Sequence, residues 1–266
     1  MTVLAIDTSG TITTTALASG DRIVGEVSVD LDAAESAGAV RTTHSSILMP
    51  MIDHMLRMAG ISLGRVDYIA AVCGPGSFTG LRIGAATAKG LAAGCDPNIP
   101  MIAVPTLDAL AYNAISAIGQ AGNGDAWIVP LMDARKDQAY AGFYRLDQGQ
   151  PRLYGDYVCM RIDDLMDSIA LTHNKPCCKG DDITNIIFTG DGSAAYKNHI
   201  IQWLVQKDRE HRLDCRFVPS LHNRQRASAM CFCAMDMALS GDIVGEADFP
   251  MVYVRKPQAQ RMLENT

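Results

Sequence analysis

The stretch that most constrains the fold is Cys-Gly-Pro-Gly-Ser-Phe-Thr-Gly-Leu-Arg-Ile-Gly at 73–84. The residues before it, 66–72, are mostly apolar or β-branched, which predicts a buried strand. Residues 81–93 are mostly small or apolar and contain no proline, which predicts a helix. Ser77 or Thr79 can cap that helix, whose first backbone N–H groups then form an anion site. The pattern indicates a strand, a tight turn and a helix, with or without a ligand at the turn.

The turn matches neither of two common nucleotide-binding motifs. A P-loop carries Lys and then Ser or Thr after its last glycine, whereas Leu81 and Arg82 follow Gly80 here. The dinucleotide fingerprint has its third glycine three residues after the second. In this chain Gly76 and Gly80 are four residues apart.

The predicted helix after the turn has a face of small residues. Gly80, Gly84, Ala88 and Ala92 recur every four residues and therefore share one side of the helix. Because this side has so little bulk, another helix can approach it closely. The pattern is compatible with two uses of this face. It can pack in the chain's own core, which is the more usual use, or it can form a contact between subunits.

Length, charge and hydropathy limit the class of protein. A chain of 266 residues forms one large or two medium domains. The net charge of −6 disfavours unaided binding to nucleic acid, so any role in RNA chemistry needs a partner that holds the RNA. No apolar run approaches the roughly 20 residues of a membrane span, and the first residues do not resemble a signal peptide. We expect a cytoplasmic protein without a membrane contact.

The cysteines give no strong metal signal. Eight are present and none forms a Cys-x-x-Cys pair, which is typical of free thiols in a reducing compartment. Cys177 and Cys178, near His173, form the one cluster on which a metal site could be argued. Adjacent cysteines lack the usual spacer between zinc ligands. The sequence therefore predicts no metal and no cofactor.

A faint internal repeat indicates the fold. An apolar run ending in Asp7 and a second ending in Asp133 each precede a further strand, and Gly-x-Gly-Ser recurs at 74–77 and 190–193. Both halves run hairpin, helix, strand, Gly-x-Gly-Ser and helix. This order predicts an α/β protein with the duplicated actin-like (ASKHA, ribonuclease H-like) fold, in which two related domains hold mixed sheets flanked by helices.

This fold predicts a domain organisation and a nucleotide site. We expect an N-terminal domain at 1–118 and a C-terminal domain at 119–266, with a linker at 119–125 and a helix at 226–239 that can pack back on the first domain. In actin-like proteins nucleotide sits between the two domains. The residues at the corresponding turns, a candidate vestigial nucleotide site, are Asp7, Ser9, Gly74, Gly76, Ser77, Gly190 and Gly192.

A second helix is predicted at 48–59. Its apolar residues follow helical spacing and Gly60 ends it. Pro50 fits only near the first turn of a helix, so the helix is expected to start close to it. Additional methionines widen the apolar coverage, which is typical of an adaptable contact surface.

Taken together, these motifs resemble the bacterial TsaB (YeaZ) family over most of the chain. The matching runs are Leu-Ala-Ile-Asp-Thr-Ser at 4–9, His-Ser at 44–45, the glycine-rich run at 74–84, Asp-Ala-Arg-Lys at 133–136, Gly-Asp-Gly at 190–192 and Pro-x-Val-Tyr-Val-Arg at 250–255. The chain departs from the family at 172–182, which looks like an insertion, and at Gly10, where the family often has Thr.

The resemblance implies a function in tRNA modification. Members of this family belong to a bacterial complex that places threonylcarbamoyl on the adenosine following the anticodon. TsaB is not the catalyst in that complex. Its paralogue TsaD carries the metal and transfers the group from a threonylcarbamoyl-adenylate, and the ATPase TsaE joins the pair. The chain is then a scaffold that forms a heterodimer with TsaD, activates it, and meets tRNA only through the complex.

The resemblance also implies where the partner docks. In the family the contact uses N-terminal helices, which correspond here to 48–59 and 81–93. The contact residues predicted on this basis are His44, Leu48, Met51, Ile52, Met55, Leu81, Gly84, Ala85, Ala88 and Ala92. Without its partner, the chain is expected to bury the same apolar surface in a homodimer. Substituting Arg for Gly84 or Ala88 is expected to break the pairing and leave the fold intact.

Two enzyme classes remain as alternatives. In an actin-like ATPase or kinase, Asp7 would position magnesium and the turns at Gly74 and Gly190 would cradle nucleotide, although Asp7 also fits a plain turn residue. A metalloprotease needs paired histidines on one side of a helix. His44 and His54 are ten residues apart, about 280° around a helix, so they do not face one metal. The metalloprotease is therefore the weaker alternative.

Overall fold

The computed structural model describes residues 1–118, 126–172, 185–208 and 213–254. The chain divides into two compact units. The first contains Met1–Ala109 and Gln225–Tyr253, and the second is built mainly from Leu110–Arg224. The predicted linker at 119–125 and residues 173–182 of the predicted insertion, including Cys177 and Cys178, lie outside the described residues.

The elements follow one another in the order expected of a repeat. The strands are β1 (Thr2–Asp7), β2 (Ile12–Ser19), β3 (Arg22–Asp30), β4 (Tyr68–Gly74), β5 (Met101–Pro105), β6 (Ala126–Asp133), β7 (Gln138–Ala141), β8 (Tyr144–Asp147), β9 (Gln150–Leu153), β10 (Val158–Arg161), β11 (Asn185–Thr189) and β12 (Asp214–Phe217). The α-helices are α1 (Leu31–Ser36), α2 (His44–Ala59), α3 (Phe78–Ala93), α4 (Thr106–Ile118), α5 (Ile162–Thr172), α6 (Asp191–Ala195), α7 (Lys197–Lys207) and α8 (Ala227–Ser240).

The two units contain sheets with the same topology. In the first unit the order is β3-β2-β1-β4-β5, with β1 antiparallel to β2 and parallel to β4. In the second unit the path is β10-β7-β6-β11-β12, with β6 antiparallel to β7 and parallel to β11, and the hairpin β8–β9 pairs with β6. When the β8–β9 hairpin is left out of the count, the strands of both sheets lie in the order third, second, first, fourth and fifth. This confirms the predicted α/β duplicated actin-like fold.

The ends of the first strands also repeat. In the first unit the Ser9 N–H donates to Asp7 Oδ1 at 2.8 Å, and in the second the Arg135 N–H donates to Asp133 Oδ1 at 2.7 Å. The glycine that ends each fourth strand region has a positive φ, 117° at Gly74 and 92° at Gly190, which glycine adopts without strain. The two Gly-x-Gly-Ser runs therefore share a left-handed first glycine. They differ after it, since α3 begins at Phe78 behind the Ser77 cap, whereas α6 begins at Asp191 directly after Gly190.

In the first unit, α2 and α3 cover one face of the sheet. Alternate residues of the central strands, such as Leu4 and Ile6 on β1 and Ile69 on β4, point to this face because side chains alternate along a strand. They pack against Leu48 and Ile52 of α2 in one continuous core. Helix α8 covers the other face, where the buried Cys231 thiol contacts the carbonyl oxygens of Val3 and Ala16.

Several elements differ from the sequence-based expectation. Helix α2 begins at His44, well before Pro50, because the Thr43 N–H donates to Ser46 Oγ at 3.0 Å and closes a turn upstream of the proline. Helix α1 was not predicted; Asp30 caps it by accepting from the Ala33 N–H at 3.1 Å. Strand β12 was not predicted.

The N-terminus of α8 is held to strand β3 by one carboxylate. Glu26 Oε1 accepts from the Ser228 N–H at 3.0 Å and from the Ser228 hydroxyl at 2.8 Å, and Oε2 pairs with Arg226 at 2.7 Å. Burial opposes ionisation of Glu26, but these donors outweigh it and hold the pKa below its ordinary value. The carboxylate therefore fixes the point where α8 joins the sheet.

Replacing Glu26 by Gln is expected to lower the free energy of unfolding by about 2 kcal/mol at neutral pH, because charge-assisted hydrogen bonds are lost. A lowered pKa stabilises the fold above the ordinary glutamate pKa, and this contribution disappears as the pH falls through the lowered value. The difference in the free energy of unfolding between wild type and E26Q, measured by urea unfolding, should therefore become smaller in acid. Exposed Glu35→Gln is the matched control; a gap that does not depend on pH would contradict the assignment.

Candidate functional site

The glycine-rich turn is fastened to the end of strand β1. Ser77 is the N-cap of α3, accepting from the Gly80 N–H at 3.3 Å, which selects one of the two predicted caps. The Ser77 N–H itself donates to the Ser9 carbonyl at 2.7 Å. A backbone donor that an anion would use is thus already occupied by the chain.

The small-residue face of α3 lies directly on β1 and the residues after it. A Cβ at Gly80 would overlap the Thr8 carbonyl oxygen, and one at Gly84 would overlap Thr8 Oγ1. Thr8 Oγ1 also donates to the Gly80 carbonyl at 2.7 Å, so the contact is hydrogen-bonded as well as close. The sequence allowed this face either to pack in the chain's own core or to contact another subunit. The structure shows that it packs in the chain's own core.

The other glycines of the turn are also filled by backbone. A Cβ at Gly76 would lie 2.6 Å from the Ser9 carbonyl oxygen, and one at Gly74 would overlap the Val252 carbonyl oxygen. The Val252 N–H donates to the Cys73 carbonyl at 2.7 Å, which holds the C-terminal segment there. The chain's own backbone therefore occupies the space directly beside Gly74 and Gly76.

Asp7 is buried beside this turn, with 1% of its surface exposed. Its Oδ1 accepts from the Ser9 N–H at 2.8 Å and from the Ser9 hydroxyl at 2.7 Å. Its Oδ2 has no hydrogen-bond partner within the described residues. Burial raises the pKa of this carboxyl and the Ser9 bonds partly oppose that rise. Asp7 thus holds the strand end in the manner of a turn residue.

The corresponding turn of the second unit keeps polar side chains. Around Gly190 and Gly192, Ser193 Oγ donates to the Gly190 carbonyl at 2.8 Å and accepts from the Asn223 amide at 2.8 Å. Burial, opposed by the Gly192 N–H and reinforced by the Asp133 charge, raises the pKa of Asp191 to about 6. Sequence reasoning did not single out Asp191 or Asn223; an acidic residue between two predicted turn glycines was the available signal for the first.

Nine of the ten predicted partner-contact residues are buried in the first unit. These nine are Leu48, Met51, Ile52, Met55, Leu81, Gly84, Ala85, Ala88 and Ala92. His44 is partly exposed, and its Nδ1 lies 2.7 Å from Thr13 Oγ1. A partner that docks on α2 and α3 must use their outer sides. Arg at Gly84 or Ala88 would damage the core, so those substitutions do not test the pairing.

The outer sides of α2 and α3 carry a different set of side chains. Met49 is 44% exposed and Met58 is 76% exposed on α2, and Phe78 is 46% exposed on α3. The α2 side also has an ion pair between Arg57 and Asp53 at 2.8 Å. The exposed small residues of α3 are Ala86, Gly90 and Ala93.

The described ranges contain neither a metal-binding cluster nor a membrane-spanning helix. There, no three His, Cys, Asp or Glu side chains are grouped so that they could hold a metal ion. His54 is exposed, whereas His44 is partly buried. Burial lowers the pKa of His44. None of the helices described is both long and apolar enough to cross a membrane.

The fold and the paired turns place the chain among actin-like α/β proteins, and comparison with known families narrows this class. The family model for TsaD, tRNA N6-adenosine threonylcarbamoyltransferase, matches residues 38–243. The match covers more than half of the chain, which therefore belongs to this family.

Individual relatives within the family carry the TsaB name. The chain is 43% identical over 98 residues to the tRNA threonylcarbamoyladenosine biosynthesis protein TsaB of Haemophilus influenzae, covering 37% of this chain and 39% of that protein. It is 35% identical over 149 residues to TsaB of Bacillus subtilis, covering 56% of this chain and 57% of that protein. These matches span about two fifths to three fifths of the relatives' length.

A solved structure extends the likeness to almost the whole chain. YeaZ from Pseudomonas aeruginosa superposes with a TM-score of 0.67 at 26% identity, covering 95% of this chain and 99% of that one. The resemblance to the TsaB (YeaZ) family that the sequence motifs indicate is thereby confirmed.

Replacing Gly84 by Ala is expected to destabilise the fold by about 1–3 kcal/mol, because the added methyl group meets Thr8 in a packed contact. Gly90, on the same helix, has open space at the Cβ position, and Ala there should stabilise by about 0.5–1 kcal/mol through helix propensity. Thermal unfolding of G84A and G90A measures both. Equal effects of the two substitutions would contradict the close contact of α3 with Thr8.

Asp191 should make stability fall as the pH rises. Because its pKa is raised from 3.8 to about 6, the folded chain binds more protons than the unfolded chain between these values, and stability declines across that window. Asn cannot ionise, so the free energy of unfolding of D191N should exceed that of wild type by up to about 3 kcal/mol above pH 7. This follows from about 1.4 kcal/mol per pKa unit. The advantage should vanish in acid. Exposed Asp156→Asn is the control, and an advantage independent of pH would exclude this assignment.

Proposed function

We propose that the chain is a non-catalytic scaffold subunit that binds and activates a TsaD-type threonylcarbamoyltransferase in the formation of N6-threonylcarbamoyladenosine in tRNA. The family match and the names of the relatives supply the pathway. The chain contacts its partner through the outer sides of α2 and α3. With a net charge of −6, it meets tRNA only through the complex.

The observation that carries this proposal is a set of exposed apolar side chains on two neighbouring helices. Helices α2 and α3 lie on the same face of the first sheet, and Met49, Met58 and Phe78 remain exposed on them. Scattered exposed apolar residues are normal, but several on adjoining helices are typical of an interaction surface. Methionine adapts well to such contacts. The same surface would pair two copies when the partner is missing.

The turn of the first unit supports a scaffold over a catalyst. Its Ser77 N–H is bonded to Ser9, and backbone fills the space beside Gly74 and Gly76. Asp7 holds its own turn through Ser9. In the assembly we propose, the transferase supplies the chemistry and a TsaE-type ATPase supplies nucleotide hydrolysis.

An actin-like ATPase or kinase is the second candidate function. The observation favouring it is the buried Asp7 Oδ2, which has no partner within the described residues. A carboxylate oxygen of this kind can ligate magnesium or accept a hydrogen bond from a water bound to magnesium. Binding of magnesium-ATP to the isolated chain, abolished by Asp7→Ala, would favour this alternative over the scaffold.

Light scattering of the chain, alone and mixed with the organism's TsaD-type subunit, tests the proposal. A dimer that exchanges into a one-to-one complex is expected. Glu in place of exposed Met49 or Ala86 should weaken both assemblies at least about tenfold, because a charge would be buried in the contact. The melting temperature should change little, since both residues are exposed.

Leu239→Glu provides the matched control for this experiment. Leu239 is 80% exposed on α8, which covers the opposite face of the same sheet. Its substitution should leave both assemblies intact. A chain that stays monomeric and ignores the transferase would overturn the scaffold proposal, and equal weakening by all three variants would overturn the assignment to α2 and α3.

A further inference from the structure

The exposed Arg82 side chain stacks on the ring of Phe78 at the start of α3. The Arg82 guanidinium carbon lies 3.7 Å from the centre of the Phe78 ring. The Phe78 ring in turn contacts Tyr253, with centroids 5.7 Å apart and planes tilted by 38°. Phe78 is 46% exposed and Tyr253 is 43% exposed. None of these three side chains belongs to the buried core of the first unit.

The backbone orders this stack in advance. Phe78 and Arg82 are four residues apart on one helix, so their side chains meet on its surface. Tyr253 is brought to them by the C-terminal segment, whose Phe249 is buried in the core and whose Val252 N–H donates to the Cys73 carbonyl at 2.7 Å. Side chains that are already ordered lose less entropy when they bind.

Across the described parts of the chain, no carboxylate lies within ion-pair distance of the Arg82 guanidinium. Stacking on a ring covers one guanidinium face and leaves the in-plane N–H groups free to bind a carboxylate with two hydrogen bonds. Phenylalanine, tyrosine and arginine together are also the residue types that dominate binding energy in protein interfaces.

We propose that Phe78, Arg82 and Tyr253 form the binding hot spot for an acidic segment of the transferase subunit. Arg82 pairs with a carboxylate of that segment, and the two rings exclude water around the pair. This inference rests on the proposed scaffold function. It names a centre for the contact, since Phe78 also belongs to the exposed side of α3.

A protein partner fits this stack better than RNA. Base stacking needs an open ring face, whereas Arg82 already covers one face of Phe78 and Tyr253 adjoins the ring. The net charge of −6 also repels a polyanion more strongly than it repels a single carboxylate.

Calorimetric titration of the full chain with the transferase subunit tests the hot spot. Arg82→Gln should weaken binding at least about tenfold, and Arg82→Lys should lose part of the affinity because it keeps the charge without the planar fork. Tyr253→Ala should also weaken binding. Rising salt should weaken wild-type binding more steeply than binding by R82Q, since the variant lacks the ion pair.

The control is Arg216→Gln, which changes the net charge equally at an exposed site on β12. It should bind like wild type, and circular dichroism should show R82Q folded. If wild type binds and R82Q binds within twofold of it, the hot spot is wrong and the scaffold proposal stands. If wild type does not bind, the scaffold proposal itself fails. If R82Q binds the transferase normally but loses affinity for tRNA, the stack serves RNA and the inference is overturned.

Discussion

The close approach of helix α3 to the end of strand β1 is the contact on which the first unit depends. Thr8 bonds the Gly80 carbonyl through its hydroxyl, and neither Gly80 nor Gly84 has room for a methyl group. This contact sets the depth of α3 on the sheet and fastens the glycine-rich turn to Ser9. Because the helix lies so low, small side chains suffice to fill the core beneath it. Its opposite side is left for whatever the protein binds.

The same contact explains why the predicted docking residues of α3 are buried inside the unit. Helical periodicity shows that one side of a helix is buried, but it does not say whether the chain's own sheet or another subunit covers that side. The periodic residues of α2 and α3, such as Leu48 and Ala88, lie against the chain's own sheet. The residues that differ from the period, among them Met58 and Phe78, are the exposed ones. A candidate interface is therefore found in the exceptions to the pattern.

Much of the fold was accessible from sequence because turn chemistry repeats locally. The Gly-x-Gly-Ser runs and the aspartates ending β1 and β6 mark equivalent points in both units, and they predicted the duplicated sheets. Strand β12 and helix α1 escaped prediction, since β12 is a partly exposed edge strand and α1 is six residues long without a buried residue. The contacts of Thr8 and Glu26 join residues far apart in the chain, which no local pattern reports.

The Gly-x-Gly-Ser turns of the two units have different surroundings. In the first, Pro75 stands between the glycines and backbone fills the turn; in the second, Asp191 stands at the matching position and keeps a carboxyl with a pKa near 6. The first strands diverge likewise. Among the described residues Asp7 accepts hydrogen bonds only from Ser9, whereas Asp133 accepts from the Arg135 N–H and also from the Tyr196 hydroxyl at 2.6 Å. Because backbone fills the space beside Gly74 and Gly76 and the Ser77 N–H is bonded to Ser9, the first turn is held in place. In the proposed scaffold, this fixed turn supports the helix α3 that meets the partner.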